Sequence, residues 1–364
     1  MTNADLCGGQ TVLGIIGGGQ LGRMTALAAA RLGVRTHIFT PETDSPASQV
    51  AEKTIVAAYD DTAALKDFAS GVDVITLEFE NIPAPTMEFL SGLRTVRPNA
   101  RALELSQDRR HEKDYFRSLG VATPRWLPIL NAGELVQAME FLNGPAILKT
   151  ARFGYDGKGQ ARVRPDSDLE AAWNSLGGVP CVLEEFVPFE SEISVVVARK
   201  ANGETAAFNP AMNVHRDGIL RTSTFPAPEM DVALIEQAQD ITRTIAGAMD
   251  LVGLLAVEFF KTADGRLLAN EMAPRPHNSA HWTMDACHTD QFEQFVRAVL
   301  DLPLGDPSAY RHMRMTNLIG DDINAVPGYL ANPQARIHLY GKTECRPGRK
   351  MGHVNEPLPR TLAE

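Results

Sequence analysis

The chain is poor in cysteine, in aromatic residues and in long apolar runs. Its four cysteines, Cys7, Cys181, Cys287 and Cys345, are scattered with no close pair. Neither a disulfide framework nor a cysteine-based metal centre is expected, and a reduced, cytoplasmic setting fits. The longest nearly apolar run, Leu251 to Phe260, is interrupted by Gly253 and Glu258. It falls far short of the roughly 20 residues that a membrane helix needs. The amino-terminal stretch Met1 to Gln10 holds no basic cluster and no apolar core, so no secretory signal is expected. Positive charge is also scarce. A net charge of −10 argues against a general nucleic-acid binder. What is present, 364 residues with 44% hydrophobic and 22% charged, suits a soluble globular protein of two or three domains.

The most informative stretch lies late in the chain. Two apolar runs, Leu254 to Phe260 and Leu267 to Ala269, flank Asp264-Gly265, a tight-turn dipeptide, and read as a hairpin. It would set Glu258 beside Glu271 in apolar company. Two buried carboxylates repel each other, unless divalent cations carrying nucleotide phosphates sit between them. One solvent-facing and one salt-bridged glutamate is the plainer alternative. The following segment, Asn270 to Ser279, sets Asn270, Glu271, Arg275, His277, Asn278 and Ser279 around two prolines. It reads as a rigid polar loop aimed at a charged ligand, and it favours the cation site.

From the beginning, Thr11 to Ile16 reads as a strand, Gly17-Gly18-Gly19-Gln20-Leu21-Gly22 as a glycine-rich turn and Arg23 to Leu32 as a helix. This is the strand–turn–helix frame of a phosphate cradle. A dinucleotide site also wants an acidic residue closing the second strand. Here Thr36 to Phe39 runs into Thr40-Pro41, with Glu42 beyond. A phosphate or small-ligand cradle is therefore expected rather than a nicotinamide site. Strands at Thr54 to Ala57 and Val72 to Leu77 flank a helix from Asp61 to Ala69. Glu78-Phe79-Glu80-Asn81-Ile82-Pro83 follows, at the strand end where open α/β sheets bind ligands. A solvated strand end would look the same.

Ala102 to Leu119 reads as one helix carrying Arg109 and Lys113. The strand Ala146 to Leu148 leads into Lys149 and then the loop Gly154-Tyr155-Asp156-Gly157-Lys158-Gly159-Gln160. Its glycines allow backbone N–H groups to fold over phosphates, without the Walker pattern. Cys181 to Val187 reads as a strand that could offer backbone groups to a base and a carboxylate to a ribose. His215 reads as a loop residue, Val232 to Met249 as a long helix and Asp285 to Leu300 as another. In the tail, Met315 to Gly320 and Ile337 to Tyr340 read as short strands. Lys342, Arg346, Arg349 and Lys350 then crowd into nine residues, a local anion trap in an acidic protein.

Taken in order, Gly17 to Gly22, Glu78 to Pro83, Gly154 to Gln160, Glu184 to Val187, Asn270 to Ser279 and Arg346 to Val354 resemble the 5-(carboxyamino)imidazole ribonucleotide synthase family of ATP-grasp enzymes. The likeness runs from about Thr11 to Val354. It departs only slightly at Ala280, where a glycine is expected before His281. The resemblance implies an α/β and α+β protein of three parts. Residues 1–105 would form a Rossmann-like pre-ATP-grasp domain. Residues 106–305 would form the ATP-grasp domain, with a lid subdomain at about 120–190, and 306–364 a small β-rich C-terminal domain.

It also implies ATP-dependent carboxylation of 5-aminoimidazole ribonucleotide by bicarbonate, through carboxyphosphate, in a cytoplasmic homodimer that engages neither nucleic acid nor membrane. ATP and two magnesium ions would be the cofactors, with Glu258 and Glu271 holding the metal and Asn270 nearby. Arg109, Lys149 and Gly154, Tyr155, Asp156, Gly157, Lys158, Gly159 and Gln160 would bind ATP phosphates. Glu184, Glu185, Phe186, Val187, Glu192 and His215 would surround adenine and ribose. The ribonucleotide phosphate would meet Gln20, Leu21, Lys342, Arg349 and Lys350, and Glu78 its ribose. Arg275, His277 and Asn278 would lie near bicarbonate and the amine, with Tyr155 and Asp156 orienting the imidazole. Two rivals stand beside this reading. One is another ATP-grasp ligase, such as a formate-dependent glycinamide ribonucleotide transformylase. The other is a nicotinamide-dependent oxidoreductase, which leaves Lys149 to Gln160 and the glutamate pair without a purpose.

Overall fold

The computed structural model describes residues 10–154 and 157–359. Tyr155 and Asp156 lie outside the described residues. The first unit alternates strand and helix: β1 (Val12–Ile16), α1 (Gln20–Arg31), β2 (Arg35–Thr40), β3 (Lys53–Val56), α2 (Thr62–Ser70), β4 (Val74–Leu77), α3 (Ala84–Ser91) and β5 (Thr95–Val96). Its sheet is parallel, in the order β3-β2-β1-β4-β5. The buried run of β1 follows from helices or loops covering both faces of a parallel sheet. Order reverses at β1, so the crevice beyond β1 and β4 holds Gly17 to Gly22 and Glu78 to Asn81, as the α/β rule requires.

Two helices follow, α4 (Ala100–Gln107) and α5 (Arg109–Ser118), where the sequence suggested one. The break is Asp108, whose extended backbone (φ −130°, ψ 115°) interrupts the helix while its carboxylate caps the Arg110 N–H at 3.0 Å. An aspartate competes well for backbone N–H groups and so starts helices better than it continues them.

A second unit comprises β6 (Trp126–Ile129), α6 (Glu134–Leu142), β7 (Ala146–Thr150), β8 (Gln160–Val163), α7 (Leu169–Ser175) and β9 (Cys181–Glu185), with an antiparallel sheet ordered β6-β9-β7-β8. The remaining elements are β10 (Phe189–Arg199), β11 (Thr205–Ala207), β12 (Ala211–Arg216), β13 (Ile219–Phe225), α8 (Val232–Ala248), β14 (Gly253–Thr262), β15 (Leu267–Ala273), a 3-10 helix (Asn278–Asp285), α9 (Gln291–Val299), β16 (Met313–Ile319), a second 3-10 helix (Gly320–Ala325), α10 (Val326–Leu330), β17 (Arg336–Leu339) and β18 (Lys350–Pro357). They form one large sheet in the path β15-β14-β10-β12-β13-β16-β18-β17, with β11 on β10. The C-terminal strands thus extend the central sheet through β13 and β16 rather than making a sheet of their own.

His215 lies in β12, not in a loop, because the turn falls one residue beyond Arg216, at Asp217 and Gly218 with φ of 53° and 74°. The span expected to be helical from Asp285 is helical only from Gln291, where Asp290 caps the Phe292 and Glu293 N–H groups. Part of the expected anion trap, Lys350 to Val354, is a buried strand. The first unit and the central sheet share a core. Ala26 and Ala29 of α1 belong to the same apolar cluster as Phe292, Phe295 and Val296 of α9, and Arg31 meets Asp290 at 2.6 Å beside it.

Candidate active site

The hairpin forms as expected, with Glu258 directly opposite Glu271. Beyond them the register slips: Phe259 pairs with Ala269, leaving Asn270 as an extra residue. Strand side chains alternate between faces, and a bulge breaks that alternation. Asn270 and Glu271, adjacent in sequence, can therefore line one cavity together. The segment expected to be a loop from Asn270 is strand as far as Ala273. The bulge also takes backbone groups out of the ladder. Helix α5 supplies their partners: Lys113 donates to the Asn270 carbonyl at 3.0 Å, and Glu112 accepts the Met272 N–H at 2.6 Å.

Around this hairpin charge is densely paired. Arg109 holds Glu271 at 2.9 Å. Glu184 bridges Lys149 at 2.7 Å and Lys113 at 3.1 Å, all three being almost wholly buried. Lys149 also reaches the Asn270 side chain at 3.3 Å. Burial pushes both facing carboxyls up. For Glu258 the Glu271 charge adds to that push, whereas for Glu271 the Arg109 and Lys149 charges overcome it and hold it low. Glu258 faces the His277 imidazole at 3.8 Å, beyond hydrogen-bond distance. Two oxygen donors, opposed and repelling, fit magnesium, which takes one or two carboxylates and fills its remaining positions with water and phosphate oxygens.

Two cavities meet at Arg109, Glu258 and Glu271. The larger, about 690 Å³, is lined by Lys149, Gly157, Gln160, Glu184 to Val187, Glu192, His215 and Asn270. His215 Nδ1 lies 2.6 Å from Glu192. Burial opposes its charge, but the Glu192 hydrogen bond and the Glu258 charge raise it to about 9, so it is an imidazolium at neutral pH. Glu184 is committed to its two lysines. Glu185 accepts the Arg125 N–H and guanidinium at 2.8 and 2.7 Å. Both carboxylates are thus paired within the protein. The Arg162 guanidinium lies over the exposed Phe186 ring, 5.5 Å from its centre.

The smaller cavity, about 360 Å³, is lined by Gln20, Leu21, Glu78, Gly154, Arg275, His277, Asn278 and Lys350. The glycine-rich turn works differently from the expected open cradle. Its N–H groups meet Glu78, from Gly19 at 2.9 Å and from Gly22 at 3.4 Å. A Cβ at Gly19 would stand 2.6 Å from a Glu78 oxygen, so glycine is needed here for an internal carboxylate. Burial pushes Glu78 up against those hydrogen bonds. Arg275 grips Glu80 with two hydrogen bonds, the longer at 2.7 Å. Burial, and then the Arg275 charge, take His277 down to about 3; its imidazole is neutral. Asn278 and Asn317 exchange two amide hydrogen bonds at 2.9 and 2.7 Å.

Lys158, Gly159, Lys342 and Arg349 line neither cavity wall. Gly159 closes the loop by accepting the Thr150 N–H at 2.8 Å. Lys342 donates to the Lys350 carbonyl at 2.7 Å, and Arg349 to that of Glu344 at 3.0 Å. Gly341 is tied to the first unit by Gln49 at 2.8 Å. Sequence reading placed Glu80 at a ligand-binding strand end without a specific role, and gave none to Glu112, Lys113, Arg162, Gln291 or Asn317. The charge run Arg109-Arg110-His111-Glu112-Lys113 was the one visible signal, and its helix looks like a solvated one until its packing is known.

Family models match almost the whole chain: a ribonucleotide synthetase preATP-grasp domain over residues 10–107, an ATP-grasp domain over 114–292 and a phosphoribosylaminoimidazole carboxylase C-terminal domain over 314–356. The N5-carboxyaminoimidazole ribonucleotide synthase of Brucella melitensis is 49% identical over the full length of both chains. The solved synthetase of Thermus thermophilus is 42% identical over 95% of this chain and 93% of its own, with a TM-score of 0.89. An Aspergillus clavatus synthase solved with ADP and 5-aminoimidazole ribonucleotide is 29% identical over 96% and 94%, with a TM-score of 0.90. The chain is a member of the N5-carboxyaminoimidazole ribonucleotide synthase family, ATP-grasp ligases of purine synthesis.

Proposed function

We propose that the larger cavity binds ATP, the smaller binds 5-aminoimidazole ribonucleotide, and bicarbonate is activated where they meet. The observation that carries this is the shared wall of Arg109, Glu258 and Glu271. A nucleotide γ-phosphate entering from one side meets an acceptor entering from the other. Bicarbonate is a poor electrophile. Phosphorylated to carboxyphosphate, it becomes a mixed anhydride whose carbon an amine can attack. Phosphoryl transfer depends on positioning and charge neutralisation, and Arg109, Lys149 and the His215 imidazolium supply fixed positive charge. Glu258 and Glu271 would hold magnesium, whose charge neutralises the phosphate oxygens. Gly154 and Gly157 to Gln160, with Tyr155 and Asp156, would cover the phosphates and keep water from the anhydride.

On the other side, Gln20, Leu21, Lys342, Arg349 and Lys350 would bind the ribonucleotide phosphate and Glu78 its ribose. Glu78 accepts one N–H on each oxygen from Gly19 and Gly22, which leaves further lone pairs for ribose hydroxyls. Arg275, His277 and Asn278 would face bicarbonate and the amine. The complex of the Aspergillus clavatus relative with ADP and 5-aminoimidazole ribonucleotide supports this pairing of ligands. We also infer a cytosolic homodimer, to be checked by sedimentation.

The test is phosphate release from Mg-ATP with the ribonucleotide and labelled bicarbonate added separately and together. Release that needs the ribonucleotide, with label in an acid-labile product, is expected. Release that responds instead to glycinamide ribonucleotide and formate would replace the substrate.

A further inference from the structure

Two buried side chains hold His277: the Ser279 hydroxyl meets its imidazole Nδ1 at 2.8 Å, and Gln291 holds its backbone from behind. Gln291, the first residue of α9 and fully buried, accepts the His277 N–H with Oε1 at 2.9 Å and donates Nε2–H to the His277 carbonyl at 2.9 Å. The same Nε2 meets His281 Nδ1 at 2.8 Å. These partners settle the amide orientation. Flipped, the NH₂ would face the His277 N–H and the oxygen would face a carbonyl. They also settle the His281 tautomer, since its Nδ1 must accept. Helix α9 is in turn anchored, with the Gln291 N–H on Thr283 at 3.1 Å and Asp290 at its cap. The amide therefore clasps both backbone polar groups of His277 in the way a neighbouring strand would. It holds an extended backbone (φ −122°, ψ 145°) at the point where the chain leaves Arg275 and enters the 3-10 helix.

We propose that Gln291 is a positioning residue for the reaction, setting the direction in which the His277 imidazole enters the smaller cavity. It touches no substrate and acts through His277, so the inference rests on the reading that His277 serves the bicarbonate or amine step. Losing a fixed orientation of this kind costs rate rather than ground-state binding.

The test uses the full-length protein and compares Gln291→Met, His277→Ala and the double variant. ADP and labelled carboxylated ribonucleotide are assayed separately, and folding is followed by thermal melting. Gln291→Met is expected to lower carboxylated product by about 10-fold or more, with KM for ATP unchanged. In the double variant it should add nothing to the loss already caused by His277→Ala. Gln291→Glu, which keeps the acceptor for the His277 N–H but sets a second oxygen against the carbonyl, should lose product similarly and stands in if the methionine variant does not fold. Unchanged product in Gln291→Met or Gln291→Glu, or losses that add in the double variant, would overturn the proposal while leaving the role of His277 standing. Full activity of His277→Ala would overturn both together.

Discussion

Single residues here are read through their partners. Glu271→Gln keeps shape and polarity but removes the charge that Arg109 holds at 2.9 Å and that a metal ion would need. ATP turnover should fall on the order of 10²-fold or more, with an unchanged circular dichroism spectrum; near-normal phosphate release would rule out the metal assignment. Lys149→Ala should silence turnover as well, yet leave the chain folded, because Lys113 still pairs with Glu184 at 3.1 Å.

Lys342 gives a pH dependence. Burial, and then the neighbouring Arg349 charge, lower its ammonium to about 8. A phosphate dianion binds the charged form. As pH rises through about 8 the free protein loses that charge, so KM for the ribonucleotide should rise while KM for ATP does not. Lys342→Met should flatten the rise, and Arg349→Ala should raise KM for the ribonucleotide while sparing ATP. A flat profile in the unaltered protein would refute the assignment of Lys342 to the phosphate.

Among the elements, the glycine loop between β7 and β8 packs directly on the β12–β13 hairpin. Gly157, at φ +75°, packs so near the hairpin tip that a Cβ would lie 2.7 Å from the Asp217 carbonyl oxygen and 2.8 Å from Gly218 Cα. Both are backbone atoms, so the loop itself would have to move. Gly157→Ala should raise KM for ATP and release more ADP than carboxylated product, because an ill-seated loop admits water to the anhydride. Matched ADP and product would show that the loop does not act as a cover. The bulge at Asn270 is the other element-scale device. Without the extra residue, Asn270 and Glu271 would alternate to opposite faces, and only one of them could line the cavity.

For the molecule as a whole, the C-terminal strands are part of the central sheet. Removing residues 306–364 would take β16 from β13, expose an unpaired edge, and delete Asn317, which pairs with Asn278 in the site. The truncated chain should aggregate. A monodisperse fragment on gel filtration that still turns over ATP would contradict this.

Much of the architecture was legible in order of appearance. Strand–turn–helix alternation, the Asp264-Gly265 hairpin and the strand leading into Lys149 depend on local pattern and turn chemistry. They therefore pointed to the facing glutamates and to the strand that carries Lys149. The tertiary structure decided what local pattern cannot carry. The Glu78 carboxylate fills the glycine-rich turn, Glu184 belongs to two lysines, and Asn270 is bulged so that Glu271 can face Arg109. Gln291 holds His277 from behind. Each of these pairs residues far apart in sequence. Partner choice for a buried charge or amide is settled by which elements pack together, since only there does leaving it unpaired become costly.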